Sequence, residues 1–311
     1  MFIQSLILLT GLALLYFGSS ILVEGAASTA VMFAVRPVII GLTIVSLATS
    51  APELLVSLVA AVKGSGGISI GNILGSNVIN IALVLGISAV IRPVAIKRQV
   101  VMIEIPYMIF VSIVFWVLCM DSQITRTDGI ILIVFLIIFL VYGFLTAKDK
   151  SNGQPPPIDR PFKQLLKNGF YIVLGIIMLS FGANFVVQEA IVIASRMGLS
   201  QTFIGISVVA LGTSLPELAT SAVAAARGES DISVGNVVGS NLFNICLVMG
   251  VVGIFNPMSI DPSLHGFQFP FMIVICFVLG IMAFVKKGVD KPGGLLFILL
   301  FFIYITVSYI N

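Results

Sequence analysis

GLTIVSLATSAPELLVSLVAAVKGSGGISIGNILGSNVINIALVLG, residues 41–86, returns as GISVVALGTSLPELATSAVAAARGESDISVGNVVGSNLFNICLVMG, residues 205–250. The two stretches align without a gap at a constant offset of 164, and 25 of 46 positions are identical. The identities are mostly not the apolar filler. They are Thr-Ser-x-Pro-Glu (Thr49 to Glu53, Thr213 to Glu217) and Gly-Asn-x-x-Gly-Ser-Asn-x-x-Asn (Gly71 to Asn80, Gly235 to Asn244). A polar motif duplicated inside membrane-length apolar runs points to a site built from two halves of one chain.

Around the motif the 311 residues are 59% hydrophobic and 9% charged, with a mean hydropathy of +1.18. A soluble chain carries about a quarter charged residues, so this is an integral membrane protein. No alternating barrel pattern is present, and apolar runs reach membrane length, so the spans are helices. The fold class is therefore an all-α polytopic membrane protein. Ten helices are expected near 3–31, 38–62, 68–91, 100–119, 128–147, 166–194, 202–226, 232–255, 266–285 and 293–310. The first run resembles a signal peptide in position only. It lacks a basic leader and a small-residue cleavage site, and its Phe17-Gly18 matches Phe181-Gly182 at the same offset.

The stretch KDKSNGQPPPIDRP, within 148–162, is the most polar connector, and its prolines and charges mark a linker. We expect a first five-helix repeat at 1–147, a cytoplasmic linker at 148–165 and a second repeat at 166–311. With the linker inside, 13 of the 16 Lys and Arg lie inside and only Lys63, Arg126 and Arg196 outside. That bias sets the orientation and puts both termini outside a plasma or inner membrane. An offset of five spans is odd, so the second repeat runs through the bilayer inverted. Inverted repeats with polar, Pro- and Gly-interrupted helices in matching places are the signature of secondary transporters.

Glu53 and Glu217 lie near mid-depth in helices two and seven. A charge there costs several kcal/mol unless it is paired or hydrated, so such residues are usually functional. Pro52 and Pro216 lack the N–H that the carbonyls of Ala48 and Gly212 would accept from. Ser50 and Thr49 share a helix face with Glu53. Asn72, Ser76 and Asn80, four residues apart, form one polar stripe, as do Asn236, Ser240 and Asn244. Gly71, Gly75, Gly235 and Gly239 read as close-packing positions. The serines can either bond their own backbone or ligate; the amide oxygens of Asn80 and Asn244 read as ligands.

The combined donor set is all oxygen, which suits hard cations such as Ca²⁺ and Na⁺ rather than zinc or copper. Two carboxylates neutralise one Ca²⁺ or two Na⁺, so the ions can compete. Cys119, Cys246 and Cys276 have no ligand spacing and read as packing residues. His265 reads as a solvated loop residue, and Glu24, Glu104 and Glu189 as interfacial.

The paired motifs, their placement and ten spans resemble the sodium/calcium exchangers of the calcium/cation antiporter superfamily over essentially the whole chain. The resemblance implies two inverted five-helix units whose helices 2, 3, 7 and 8 enclose a midplane site. It implies Glu53 and Glu217 on Ca²⁺ and Na⁺, joined on Ca²⁺ by the Thr49 and Thr213 carbonyls. Ser50, Ser76, Asn80, Ser214, Ser240 and Asn244 would complete the set, with the Ser46 and Ala210 carbonyls nearby. The family's Gly-Thr-Ser is kept at Gly212 but reads Ala48 in the first half. Asn rather than Asp at 80 and 244 argues against potassium dependence, and the short linker points to a prokaryotic transport core.

The expectation is Na⁺-driven Ca²⁺ antiport, with H⁺/Ca²⁺ exchange through the same glutamates as the rival. A channel usually needs a ring of subunits, and the enzyme motifs HExxH or a membrane Asp pair are missing. No cofactor, nucleic acid or obligate protein partner is implied; the partners are the two ions and the bilayer.

Overall fold

A computed structural model describes residues 2–147, 161–196 and 210–310, which fold almost wholly into helices. In chain order these are α1 (Phe2–Met32), α2 (Pro37–Thr49), α3 (Ala51–Val62), α4 (Gly66–Ile91), α5 (Val100–Leu118) and α6 (Arg126–Leu145). After residues 148–160 come α7 (Pro161–Arg196), α8 (Ala210–Thr213), α9 (Leu215–Arg227), α10 (Ser230–Phe255), α11 (Gln268–Lys286) and α12 (Lys291–Ile310). Among the described residues, eight helices are long and apolar enough to span a bilayer, or nine when α2 and α3 count as one bent span. The first part of the span expected at 202–226 lies outside the described residues, as do positions 148–160 of the linker.

Local chemistry sets the helix ends. Thr125 and Asp128 form a reciprocal capping box at α6, the Asp128 carboxylate accepting from the Thr125 N–H at 2.8 Å. Asp290 accepts from the Gly293 N–H at 2.9 Å ahead of α12, and the Lys286 ammonium lies 2.9 Å away. That lysine, with the Gly293 N–H, holds the exposed Asp290 carboxyl below the usual carboxylate range. Gly64 and Gly228, equivalent in the repeat, turn the chain after α3 and α9 with φ of +77° and +85°, a left-handed conformation that costs glycine nothing.

Burial separates a core from a shell. The most apolar windows of α4 and α10 are 89% and 83% buried, against 22–39% for the other long spans. The outer helices turn residues such as Leu9, Phe144, Phe170 and Phe302 outward, as lipid-facing surfaces require. α1 and α7 pack along each other through small residues at seven-residue spacing. A Cβ at Gly175 would stand 2.8 Å from the Gly18 carbonyl, and one at Gly182 2.9 Å from the Gly11 carbonyl.

α2 lies against α10 in the same manner, a Cβ at Gly235 falling 2.6 Å from the Val38 carbonyl. The close-packing expectation therefore holds for Gly235. The matching approach to Gly71 would fall on residues 202–206, outside the described residues.

Two short ladders went unanticipated: Val94–Ala95 pairs with Gly288–Val289, and Gln123–Ile124 with Met258–Ser259, both antiparallel. Each joins a loop of one half to a loop of the other. Two-residue strands leave no periodicity for a sequence to display.

Two expectations are refined by packing. Glu104 stands near a span end as expected but is buried in the protein: it is 1% exposed and faces Arg36, itself 7% exposed, at 3.4 Å. The Arg36 guanidinium also donates to the Thr146 carbonyl at 3.2 Å and its hydroxyl at 3.4 Å. An unpaired buried carboxylate would be costly, and the arginine supplies its partner. His265 is not simply solvated: its Nδ1 accepts from the Trp116 indole N–H at 3.1 Å, and its ring stacks on Phe269. Glu24 does remain exposed, with Lys167 at 3.9 Å, and all three cysteines are buried and free.

Candidate functional site

The chain breaks its helix where the motif demands. Ser50 leaves helical geometry (φ −84°, ψ 4°), and α2 meets α3 at a 43° bend; Ser214 adopts φ −87°, ψ 5° between α8 and α9. The prolines that follow, Pro52 and Pro216, sit in the first turn of the new helix, where a missing N–H costs nothing. Glu53 and Glu217 then occupy first turns as well. The positive end of each helix dipole faces a carboxylate there, which lowers the cost of holding it in a bilayer.

α4 and α10 carry wide, π-helical turns at Asn80–Leu85 and Phe243–Met249. Each begins at or beside the last asparagine of the motif, the placement in which such turns serve to re-aim side chains. A third wide turn, Gly41–Val45, lies ahead of Ser46, whose hydroxyl donates to the Gly41 carbonyl at 2.6 Å. Sequence reading missed all three, because one extra residue in a turn leaves composition unchanged.

The side chains of the two motif copies bond across to each other as well as within each copy. Ser50 Oγ donates to Glu217 Oε1 at 3.2 Å, and Ser214 Oγ to Glu53 Oε1 at 3.3 Å. Thr49 Oγ1 donates to Asn236 Oδ1 at 3.1 Å, and Thr213 Oγ1 to Asn72 Oδ1 at 3.4 Å. Ser214 reaches Ser76 at 3.3 Å, and Thr49 reaches Ser240 at the same distance. Asn72 and Asn236 give their amide N–H to Ser57 and Ser221, at 3.0 and 2.9 Å. The Ser–Glu, Thr–Asn and Asn–Ser contacts each recur 164 residues on.

Glu53, Glu217, Ser76, Ser240, Asn80 and Asn244 have no measurable exposure, and Thr49, Ser50, Thr213 and Ser214 are buried too. Within this buried cluster four oxygens have no hydrogen-bond partner: Glu53 Oε2, Glu217 Oε2, Asn80 Oδ1 and Asn244 Oδ1. A buried acceptor left unpaired is expensive, so four acceptors in two repeat-related pairs call for a ligand that accepts nothing and attracts oxygen. A dehydrated cation is such a ligand.

The expected residues divide by role. The single Ser46 hydroxyl hydrogen sits among the carbonyls of Gly41, Gly235 and Asn236, the last two at 3.3 and 3.1 Å, so that it ties α2 to α10. Asn72 and Asn236 brace the threonines and serines instead of presenting free oxygens. Ala210 opens α8. Asn77 and Asn241, the middle asparagines of the motif, were assigned no role from sequence. They bond the amides of Asn244 and Asn80, at 3.2 and 3.1 Å.

Known proteins place this arrangement. The family model described as "Sodium/calcium exchanger protein" matches residues 3–145 and 167–310. The chain is 32% identical to "Inner membrane protein YrbG" of Escherichia coli, over 94% of this chain and 92% of that protein. It is 29% identical to "Sodium/calcium exchanger MaX1" of Methanosarcina acetivorans, over 99% of both. Among solved structures it resembles the sodium-calcium exchanger NCX_Mj with a TM-score of 0.84 and 31% identity, over 98% of each chain. A match across both halves, with the motif residues buried together, leads to one conclusion: the chain belongs to the sodium/calcium exchanger protein family.

Proposed function

We propose that the protein is a secondary active antiporter that exchanges Na⁺ for Ca²⁺ across the membrane by alternating access. The observation that carries this reading is the set of four unpartnered buried oxygens, two of them carboxylate, on Glu53, Glu217, Asn80 and Asn244. Glu53 and Glu217 hold Ca²⁺ and share Na⁺. Ser50, Ser76, Asn80, Ser214, Ser240 and Asn244 complete the set, with the carbonyls of Thr49, Thr213, Ser46 and Ala210. Two formal charges balance one Ca²⁺ or two Na⁺, so one occupant displaces the other. An empty site leaves two carboxylates uncompensated in the membrane, which favours exchange over return of an unloaded carrier.

The architecture belongs to the same reading: ten spans in two inverted repeats, 1–147 and 166–311, joined by a cytoplasmic linker at 148–165. The constant offset across an odd number of spans supports the inversion. So do the reciprocal bonds Ser50–Glu217 and Ser214–Glu53. Orientation is supported by a basic end of the molecule. The ladder Val94–Ala95 with Gly288–Val289 brings Lys97 and Lys287 together, and the Arg92 guanidinium reaches the Ala226 carbonyl beside Arg227. That end faces the cytoplasm, leaving both termini outside.

Na⁺ rather than H⁺ is favoured as the coupling ion by the hydroxyls and amides, since a proton needs one oxygen and no cage. Ca²⁺ uptake into proteoliposomes under an outward Na⁺ gradient, compared with a proton gradient, tests this. Uptake should require Na⁺; uptake that follows pH and ignores Na⁺ would overturn it.

A further inference from the structure

We infer that Asn77 and Asn241 are positioning residues that fix which end of the Asn244 and Asn80 amides faces the ions, and that Met272 and Met108 fix these asparagines in turn. The inference rests on the reading of Asn80 and Asn244 as ligands. An asparagine amide presents an oxygen on one side and an NH₂ on the other, and the two ends are nearly equal in size. Turned by half a rotation, Asn80 would offer a cation two donor hydrogens in place of a lone pair. Something must therefore choose the end.

The choice begins at sulfur. Asn77 Nδ2 lies 3.7 Å from Met272 Sδ, and Asn241 Nδ2 lies 3.7 Å from Met108 Sδ and 3.3 Å from the Asn77 carbonyl. A thioether and a backbone carbonyl accept and cannot donate, so the NH₂ ends of Asn77 and Asn241 must face them. Their oxygens then point the other way. Asn77 Oδ1 takes the Asn244 NH₂ at 3.2 Å, and Asn241 Oδ1 takes the Asn80 NH₂ at 3.1 Å. With both amide nitrogens held, Asn80 Oδ1 and Asn244 Oδ1 are turned away, and these are the amide oxygens left without partners.

Each chain of bonds reads acceptor, donor, acceptor, donor in one direction only. Met108 and Met272 stand 164 residues apart, as do Asn77 and Asn241, so both halves use the same device. Asn77, Asn241, Met108 and Met272 are at most 1% exposed, and a bilayer offers no water to replace a lost bond. Each amide on one half is aimed by the other half, so the oxygens are presented only when α4 and α10 are in register. Such outer partners typically change ion affinity by 10–100-fold when removed.

The test is a double-mutant cycle on Na⁺-driven Ca²⁺ uptake in proteoliposomes, reading KM for Ca²⁺ separately from kcat. Asn241→Ala in the wild-type background should raise KM by about tenfold. In an Asn80→Asp background, where both side-chain ends are oxygens and orientation no longer matters, it should add no further rise. An equal rise in both backgrounds would mean that Asn241 acts only on packing and would overturn the inference, as would a wild-type KM for Asn241→Ala. Met272→Leu, which keeps side-chain volume, covers the case in which the alanine variant does not fold. It should raise KM less than tenfold with Asn244 present and not at all with Asn244→Asp; equal effects in both would also refute the proposal. An Asn80→Asp protein with unaltered KM would instead overturn the ligand reading itself, and the inference with it.

Discussion

Removing one partner of the buried Arg36–Glu104 pair should destabilise the protein strongly, while replacing both should not. The contact is long for an ion pair, 3.4 Å from either guanidinium nitrogen to Glu104 Oε1, and Glu104 Oε2 has no partner. Breaking a buried pair costs about 3–5 kcal/mol, whereas replacing both members with apolar residues of similar size is often neutral. The two single changes are unequal. Glu104→Leu leaves Arg36 with the carbonyl and hydroxyl of Thr146, so the cost falls near ~3 kcal/mol. Arg36→Met strips Glu104, 1% exposed, of both guanidinium donors, so the cost approaches ~5 kcal/mol. The double variant should sit within ~1 kcal/mol of wild type. Reversible unfolding in mixed micelles measures all four proteins, and exchange per folded molecule should persist because no ion ligand is touched. Single variants as stable as wild type, or a double variant that loses the sum, would refute the reasoning.

Three further outcomes follow from the same contacts. Ser50→Ala and Ser214→Ala each remove one donor to a buried carboxylate, a bond to a charged group of about 1.5–3 kcal/mol. Both should raise KM for Na⁺ by more than tenfold and to similar extents; unequal or absent effects in uptake assays would contradict the reciprocal bonding. Gly175→Leu drives a side chain into the Gly18 carbonyl and should lower thermal stability by several degrees in detergent, whereas the same change at Gly169, where nothing lies within 4 Å of a Cβ, should be tolerated. Asn236→Leu removes the acceptor for Thr49 and the donor to Ser221, and should weaken exchange in uptake assays without abolishing protein insertion.

Much of the site was legible because polar residues in an apolar run stand out, and their duplication at a fixed offset marks them twice. Glu53, Glu217, Asn80 and Asn244 were readable in that way. So was the break at Ser50, since proline removes a backbone donor wherever it stands. What stayed hidden depends on pairing at a distance. Arg36 and Glu104 are 68 residues apart, each near the end of a run, and each alone reads as interfacial. The ring of His265 accepts from the indole of Trp116, 149 residues earlier in the chain. Asn77 and Asn241 drew no role from the sequence, because orientation of an amide is decided by neighbours such as Met108 that hydropathy counts as filler. Wide turns at Asn80 and Phe243 shift a helix face by one residue, a change no composition registers.

The most direct measurement is calorimetric titration of Ca²⁺ into purified protein, with and without Na⁺, for the wild type, Glu53→Gln and Glu217→Gln. The shared site should bind one Ca²⁺ per chain, weaken progressively as Na⁺ is raised, and lose binding with either substitution. Ca²⁺ binding that is indifferent to Na⁺, or that survives loss of either carboxylate, would contradict a single site contested by the two ions.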